Sequence, residues 1–331
     1  MRFGATIAGV GSYVPEQRLS NEDLAALVET TDEWIVSRTG IRERRIALPS
    51  EGASQLALRA AQAALAESGI DPAALDLILV ATATPDLVFP PVACLVQAGL
   101  GAGRAAAFDL NGVCSGFLSA LITGAQFIQS GAYRNVLVIG ADTFSRLMDY
   151  TDRTTCILFG DGAGAAVLTR TAPEFGLIDF ELKADGSRAG LIHCPLPGSP
   201  AATLAQIGAV PGQHFRQDGR TVFKLAVTGM AEAVQTVLDR QGLTPQDLRV
   251  LVPHQANQRI LSAVAERVGL PEERVAVCIE EYGNTSAATI PLALHAWLKQ
   301  GNALQDGDYV MLTAFAGGLL WGAALLRWGR L

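Results

Sequence analysis

The chain has 331 residues, half of them apolar, 17% charged and 34 of them glycine, a composition that fits a compact globular protein with room for two core-forming units and excludes a disordered one. Its net charge of −7 argues against nucleic acid as the main partner, because phosphate binding wants a basic face; a local basic mouth for a phosphorylated ligand is compatible with it. No apolar run is long enough for a membrane span, and the opening MRFGATIAGVGSYVP is too short, too weakly charged and too interrupted by glycine for a signal peptide.

Taken in chain order, the first clear element is GIDPAALDLILV at 69–80, a turn feeding a buried strand. RAAAFDLNGV then runs from Arg104 to Cys114, and SGFLSALITGAQFIQSG reads as a helix ending at Gly131. The strand NVLVIGAD follows. A Pro-, Gly- and Ala-rich insertion near 184–220 reads as loop. At 242–252, GLTPQDLRVLV repeats the first pattern: glycine, an aliphatic, proline, leucine, then a β-rich run. Arg274 opens RVAVCIEEYG and reaches Asn284 after the same ten-residue spacing that separates Arg104 from Cys114. A helical TSAATIPLALHAWLKQG ends at Gly301, and the strand DYVMLTAF follows. Matches in the same order, about 170 residues apart, predict a duplicated α/β unit with halves at 1–172 and 173–331. Strands alternating with helices imply mostly parallel pairing with helices on the sheet faces.

The chemistry-bearing residues fall at matching places. Cys114 lies between an apolar run and a helical one, so its thiol is expected at a strand-to-helix turn, near the positive end of a helix, where the thiol pKa is lowered. A free cysteine is also commonly a small buried hydrophobe, the reading given to Cys94, Cys156, Cys194 and Cys278. Five cysteines with no C-x-x-C pair make a disulfide framework unlike this chain and suit a reducing cytoplasm. The four histidines have no zinc-ligand spacing to the cysteines. His254 emerges from the end of the strand 250–252, and Asn284 takes the place of Cys114 in the second copy, so a pseudo-twofold axis would bring all three together. A satisfied core histidine and an asparagine helix cap are the plainer alternatives. AGGLLWG at 316–322 is either a sharp turn between strands or a source of backbone N–H groups for an oxyanion. FGDGAGAAV at 159–167 lacks the spacing and the following helix of a dinucleotide fingerprint.

Together the motifs Cys114-Ser-Gly-Phe, His254-Gln-Ala-Asn257, Gly283-Asn284-Thr-Ser, FGDGAGAAVL at 159–168 and TTDEWIVSRTGIRERR at 30–45 resemble the β-ketoacyl-acyl-carrier-protein synthase III family over nearly the whole chain. The resemblance implies a thiolase-type α/β fold, two pseudo-equivalent halves layered α-β-α-β-α, in a cytoplasmic homodimer. It implies an acyltransferase that condenses an acyl-CoA primer with a malonyl thioester on acyl carrier protein, initiating fatty acid synthesis, with coenzyme A thioesters as substrates and no cofactor. Cys114 would be acylated. His254 and Asn284 would stabilise the enolate formed on decarboxylation, and the N–H groups of Cys114 and Gly317 would hold the tetrahedral oxyanion. The coenzyme A tunnel would use Trp34, Arg38, Thr39, Arg153, Phe223, Ala256, Asn257 and Arg259, with Trp34 and Arg153 sandwiching adenine. Phe89 would reach the partner subunit's acyl pocket. Three departures, Thr154 for glycine, Ala316 for the first glycine of a triplet, and Glu266-Arg267 for a doubly basic pair, leave two alternatives: a specialised-metabolism condensing enzyme or acyltransferase with another donor or acceptor, and a non-catalytic partner subunit.

Overall fold

The computed structural model describes residues 3–209 and 212–329. Nine strands form its main sheet: β1 (Gly4–Tyr13), β2 (Leu77–Ala81), β3 (Ala106–Leu110), β4 (Asn135–Thr143), β5 (Asp161–Thr171), β6 (Gly176–Ala184), β7 (Leu248–Pro253), β8 (Tyr309–Ala316) and β9 (Leu320–Arg327). Their spatial order is β7-β8-β9-β6-β1-β5-β4-β2-β3. β2 pairs in parallel with both β3 and β4, and β7 pairs in parallel with β8. Between β1 and β6 the register holds only one parallel pair, Ala5 with Gly176, so the sheet divides there into an N-terminal and a C-terminal part. β5 ends at Thr171 and β6 starts at Gly176.

Six helices cover the faces: α1 (Ala53–Ser68), α2 (Val92–Leu100), α3 (Gly116–Gln129), α4 (Gly219–Gln241), α5 (Gln258–Val268) and α6 (Thr289–Lys299). One apolar cluster packs α1 and α2 against β2, β4 and β5. A second packs α4 and α5 against β7, β8 and β9. The largest joins α3 and α6 to the inner faces of both sheet parts. Helix, sheet, helix, sheet, helix is the five-layer stack that the resemblance implies. It explains why β4 is buried along its whole length: a strand covered on both faces reads as a continuous apolar run, not an alternating one.

The two central helices start in matching turns. Val113 (φ 48°) and Ser286 (φ 52°) are the non-glycine residues with positive φ among the described residues, and each begins a short 3₁₀ turn, Val113–Ser115 and Ser286–Ala288, that runs into α3 and α6. Those turns lie 173 residues apart, as do Gly69 and Gly242 at the two strand-feeding turns. The residue matching Cys114 is therefore Ala287 rather than Asn284. The ten-residue spacing from Arg274 misplaced the correspondence because the second copy carries three more residues between its Asn284 and its helix. The helix starts approach closely: a Cβ on Gly116 would lie 3.6 Å from the Ala287 Cβ, and one on Gly140 in β4 would collide with the Ala287 carbonyl oxygen.

The insertion near 184–220 is not simply loop. It holds a helix, Ala201–Ile207, and a two-stranded ribbon pairing His193 with Arg216 and Ile192 with Gln217; residues 210 and 211 lie outside the described residues. The Phe215 ring meets Phe144 and Phe159 edge-on, at 5.6 and 4.8 Å between centroids. Apolar contacts thus pin a segment whose composition alone reads as loop. No helix among the described residues is long and apolar enough to cross a membrane.

Candidate active site

Cys114 sits in the 3₁₀ turn at the head of α3, almost fully buried. Gly112 and Gly116 make the turn possible, since a Cβ on Gly112 would stand 2.9 Å from the Gly116 Cα. The Ser115 hydroxyl closes it by donating to the Gly112 carbonyl at 2.9 Å.

His254 follows β7. Its main-chain N–H donates to the Thr313 carbonyl of β8 at 2.8 Å, and its Nδ1 lies 2.7 Å from the Thr289 hydroxyl on α6. The imidazole is 2% exposed. Burial pulls its pKa down to about 3, so the ring is neutral throughout the physiological range.

Asn284 is fixed by its main chain, whose N–H donates to the Leu158 carbonyl at 2.9 Å and whose carbonyl accepts from Gly160 at 3.1 Å. Its Oδ1 accepts the Ser286 N–H at 2.9 Å, which leaves the amide NH₂ as the free end.

These three side chains and Gly317, from the β8–β9 hairpin, line one cavity of about 50 Å³ walled by Phe159, Phe215, Met230 and Phe315. Among the described residues neither the Cys114 nor the Gly317 main-chain N–H donates to another residue's main-chain carbonyl. The lowered thiol pKa expected at a helix start is not found: burial pushes the Cys114 thiol up to about 12, outweighing the Ser286 side chain, which acts to lower it, and the nearby Asp142 adds to the rise. Removal from water disfavours a thiolate more than one helix end favours it.

The cavity opens through Phe159, Gln217, Val222, Ala256, Ile260 and Asn284 into an outer cleft of about 560 Å³. Trp34, Arg38, Thr39, Phe223, Ala256, Asn257 and Arg259 all line this cleft, and Thr154 stands beside them. Arg153 lies just outside, its guanidinium 5.2 Å from the Trp34 ring centre and held by a bond to the Glu29 carbonyl. Arg38 lies nearer the same ring, at 4.3 Å. Asn257 caps α5 through the Arg259 N–H and donates to the Arg38 carbonyl, tying the two cleft walls together. The Thr39 hydroxyl donates within its own helix to the Ile35 carbonyl. Phe89 is not in the cavity; it stands 81% exposed beside Leu87 and Val88.

Two cleft cations escaped the sequence reading. Arg220 and Lys224 line the mouth from the first turns of α4. Their four-residue spacing, just after the capping residue Asp218, was the available signal. The insertion before them hid where that helix begins. The lining contributions of Ile192, Phe215 and Gln217 were missed for the same reason. Among the described residues no group of three or more His, Cys, Asp or Glu could hold a metal ion.

A five-layer α/β stack with a cysteine, a neutral histidine and an asparagine meeting where its central helices start defines a thiolase-fold acyltransferase. The comparisons are more specific. The family described as 3-oxoacyl-[acyl-carrier-protein] synthase III matches residues 108–186, and its C-terminal counterpart matches residues 238–328. The β-ketoacyl-[acyl-carrier-protein] synthase III 1 of Bacillus cereus is 47% identical over 330 residues, covering 98% of this chain and 99% of that protein. The crystal structure of 3-oxoacyl-[acyl-carrier-protein] synthase III from Aquifex aeolicus superposes with a TM-score of 0.91 at 46% identity, covering 98% of this chain and 100% of that one. The priming β-ketosynthase of the R1128 polyketide biosynthetic pathway superposes with a TM-score of 0.91 at 36% identity, covering 99% and 97%. The chain belongs to the β-ketoacyl-acyl-carrier-protein synthase III family and is a condensing enzyme of that kind.

Proposed function

We propose that the enzyme loads an acyl group from an acyl-CoA onto Cys114 and condenses it with malonyl-acyl-carrier-protein, opening fatty acid synthesis. The observation that carries this reading is the single cavity shared by Cys114, His254, Asn284 and Gly317, opening into a cleft with a tryptophan and several cations. The two units are residues 1–172, which supply the sulfur, and 173–331, which supply the imidazole and the amide.

In loading, the Cys114 sulfur bonds to the acyl carbon, the bond to the coenzyme A sulfur breaks, and the thiol proton leaves on coenzyme A. The malonyl thioester then places its carbonyl oxygen against the Asn284 NH₂ and the His254 ring. As carbon dioxide departs, charge grows on that oxygen, and hydrogen bonds that strengthen with it lower the barrier. The enolate attacks the acyl–Cys114 carbonyl, whose oxyanion accepts from the N–H groups of Cys114 and Gly317. Collapse expels the Cys114 thiolate, which takes up a proton from solvent, the one proton the decarboxylative condensation consumes. Decarboxylation supplies the carbanion, so the reading calls on no strong base, cofactor or metal.

Arg38, Arg220, Lys224 and Arg259 give the cleft a positive mouth on a chain of net charge −7. That suits the phosphates of coenzyme A or of a carrier's phosphopantetheine arm. Trp34 offers a stacking face for adenine, with Arg38 or Arg153 withdrawing from the ring to admit it. The edge strand β3, with Phe108 38% exposed, and the apolar tip at Leu87, Val88 and Phe89 support a homodimer in which Phe89 meets the other subunit. Five free cysteines suit a cytoplasmic location.

Supplying acetyl-CoA and malonyl carrier protein tests the reading: acetoacetyl carrier protein is the expected product. Product with bulkier donors alone would favour a specialised-metabolism enzyme, the alternative that Thr154 at the cleft wall and the likeness to a polyketide priming ketosynthase support.

A further inference from the structure

Arg44 has no exposure to solvent, and its hydrogen bonds go to neutral oxygens. Its Nη1 donates to the Leu19 carbonyl at 3.1 Å and to the Asn21 Oδ1 at 2.9 Å, and its Nη2 donates to the Ile157 carbonyl at 2.8 Å. Its Nε has no partner among the described residues. A buried cation held by dipoles alone recovers little of the free energy lost with its hydration. Stability by itself does not account for an arginine here.

The guanidinium joins two segments far apart in the chain. On one side is the ribbon that pairs Arg18–Ser20 with Glu43–Arg45, followed by Asn21. On the other is the segment 157–160, which fixes the main chain of Asn284. The Leu158 carbonyl accepts the Asn284 N–H at 2.9 Å, the Gly160 N–H donates to the Asn284 carbonyl at 3.1 Å, and Phe159 forms a parallel bridge with Asn284. The Arg44 stem packs against the same rungs: a Cβ on Gly160 would stand 3.0 Å from the Arg44 Cβ, and one on Gly283 would stand 3.4 Å from it. Asn284 follows Gly283, whose φ of 63° and missing side chain leave the turn nothing of its own to hold it. Downstream the chain is anchored separately, where the Asp142 Oδ2 accepts the Ala287 N–H at 3.1 Å at the start of α6.

We propose that Arg44 is a positioning residue: by pinning the Ile157 carbonyl to the ribbon it holds Leu158 and Gly160 in place, and through them aims the Asn284 amide at the malonyl carbonyl oxygen. Arg44 lines neither the cavity nor the cleft, so it acts only through Asn284. Cys114 and Gly317 sit on the turn before α3 and on the β8–β9 hairpin, to which the Arg44 guanidinium makes no hydrogen bond. The defect on losing Arg44 therefore falls on decarboxylation and spares acyl loading.

The inference rests on the role given to Asn284 in the proposed reaction. Two rates are read on the full-length protein: acyl loading of Cys114 by intact mass at saturating acyl-CoA, and carbon dioxide release at saturating malonyl carrier protein. Arg44→Met keeps an unbranched buried stem and removes the donors. It is expected to load at the wild-type rate and to release carbon dioxide about tenfold to a hundredfold more slowly, since a misplacement of about 1 Å costs about a hundredfold. A purely structural role would lower the melting midpoint without separating the two rates. Wild-type release in folded Arg44→Met, or loading and release lost in the same proportion, overturns the proposal. Asn284→Ala, measured alongside, distinguishes the failures. Slow release there with normal release in Arg44→Met overturns this inference alone, whereas normal release in Asn284→Ala overturns the role of Asn284 and this inference with it. Should Arg44→Met fail to fold, Arg44→Lys, which keeps the charge but not the planar fork, decides on the same two rates.

Discussion

The His254 Nδ1 and the Thr289 Oγ1 lie 2.7 Å apart with both residues buried, and the Ser286 carbonyl waits 3.0 Å from the same hydroxyl. A threonine hydroxyl has one hydrogen, so it either donates to Nδ1 and leaves the imidazole hydrogen on Nε2, or donates to Ser286 and accepts from Nδ1. Thr289 thus governs which face of the neutral ring carries a donor. Thr289→Val should leave loading of Cys114 intact and slow carbon dioxide release by about tenfold or more, in keeping with the loss of one buried hydrogen bond. Thr289→Ser should restore it. Carbon dioxide release measured beside intact-mass loading separates these outcomes.

Cys114→Ala should abolish acyl loading. His254→Ala and Asn284→Ala should still accept an acyl group but lose decarboxylation by about 10²–10³-fold, the usual cost of removing a donor aimed at a developing oxyanion. Variants that failed to load yet released carbon dioxide normally would reverse these roles.

At the cleft, Trp34→Ala should raise the KM for acyl-CoA by about fivefold to thirtyfold through lost stacking, with kcat on loaded enzyme little changed. Arg220→Ala and Lys224→Ala should weaken substrate binding at low salt and much less at high salt, where phosphate attraction is screened. Steady-state kinetics at two ionic strengths checks both.

His254 also makes a pH prediction. Its pKa is near 6.5 when unfolded and about 3 when buried, so between those values the unfolded chain binds more protons and stability rises with pH. The contribution of the neutral ring is complete above pH 6.5 and drains away as pH falls toward 3. Thermal midpoints should drop on acidification from pH 6.5 to 4.5, and drop less steeply in His254→Ala. Equal slopes in the two proteins would contradict a buried neutral ring.

Val88→Asp, at a position 94% exposed beside Phe89, should shift the protein toward monomer in sedimentation if the apolar tip contacts a second subunit. An unchanged sedimentation coefficient would remove that surface from the interface.

Much of this was legible in the sequence. Gly69 and Gly242 open matching turns, Cys114 precedes a helical pattern, His254 follows a buried strand, and these signals are local in the chain. The correspondence of Cys114 with Asn284 was off by three residues because spacing from an upstream arginine cannot register residues added inside a turn. The thiol's raised pKa was unreadable, since burial is a property of the closed layers and not of the turn. Asp142 reads as the end of the apolar run NVLVIGAD, and only the folded chain carries it to the start of α6. Arg220 and Lys224 were hidden behind an insertion whose order comes from contacts between Phe215 and rings far away in sequence.

The tight meeting of Gly140 with Ala287 also bears on recombination. Outer helices can drift separately in each unit, but β4 of the first and the turn that begins α6 in the second must stay matched in size. A chimera that grafts one unit from a relative onto the complementary unit of this chain should therefore work only where the donor keeps a residue without a side chain at that junction. Elsewhere the graft would still assemble, with its sulfur displaced from the imidazole and amide it has to meet.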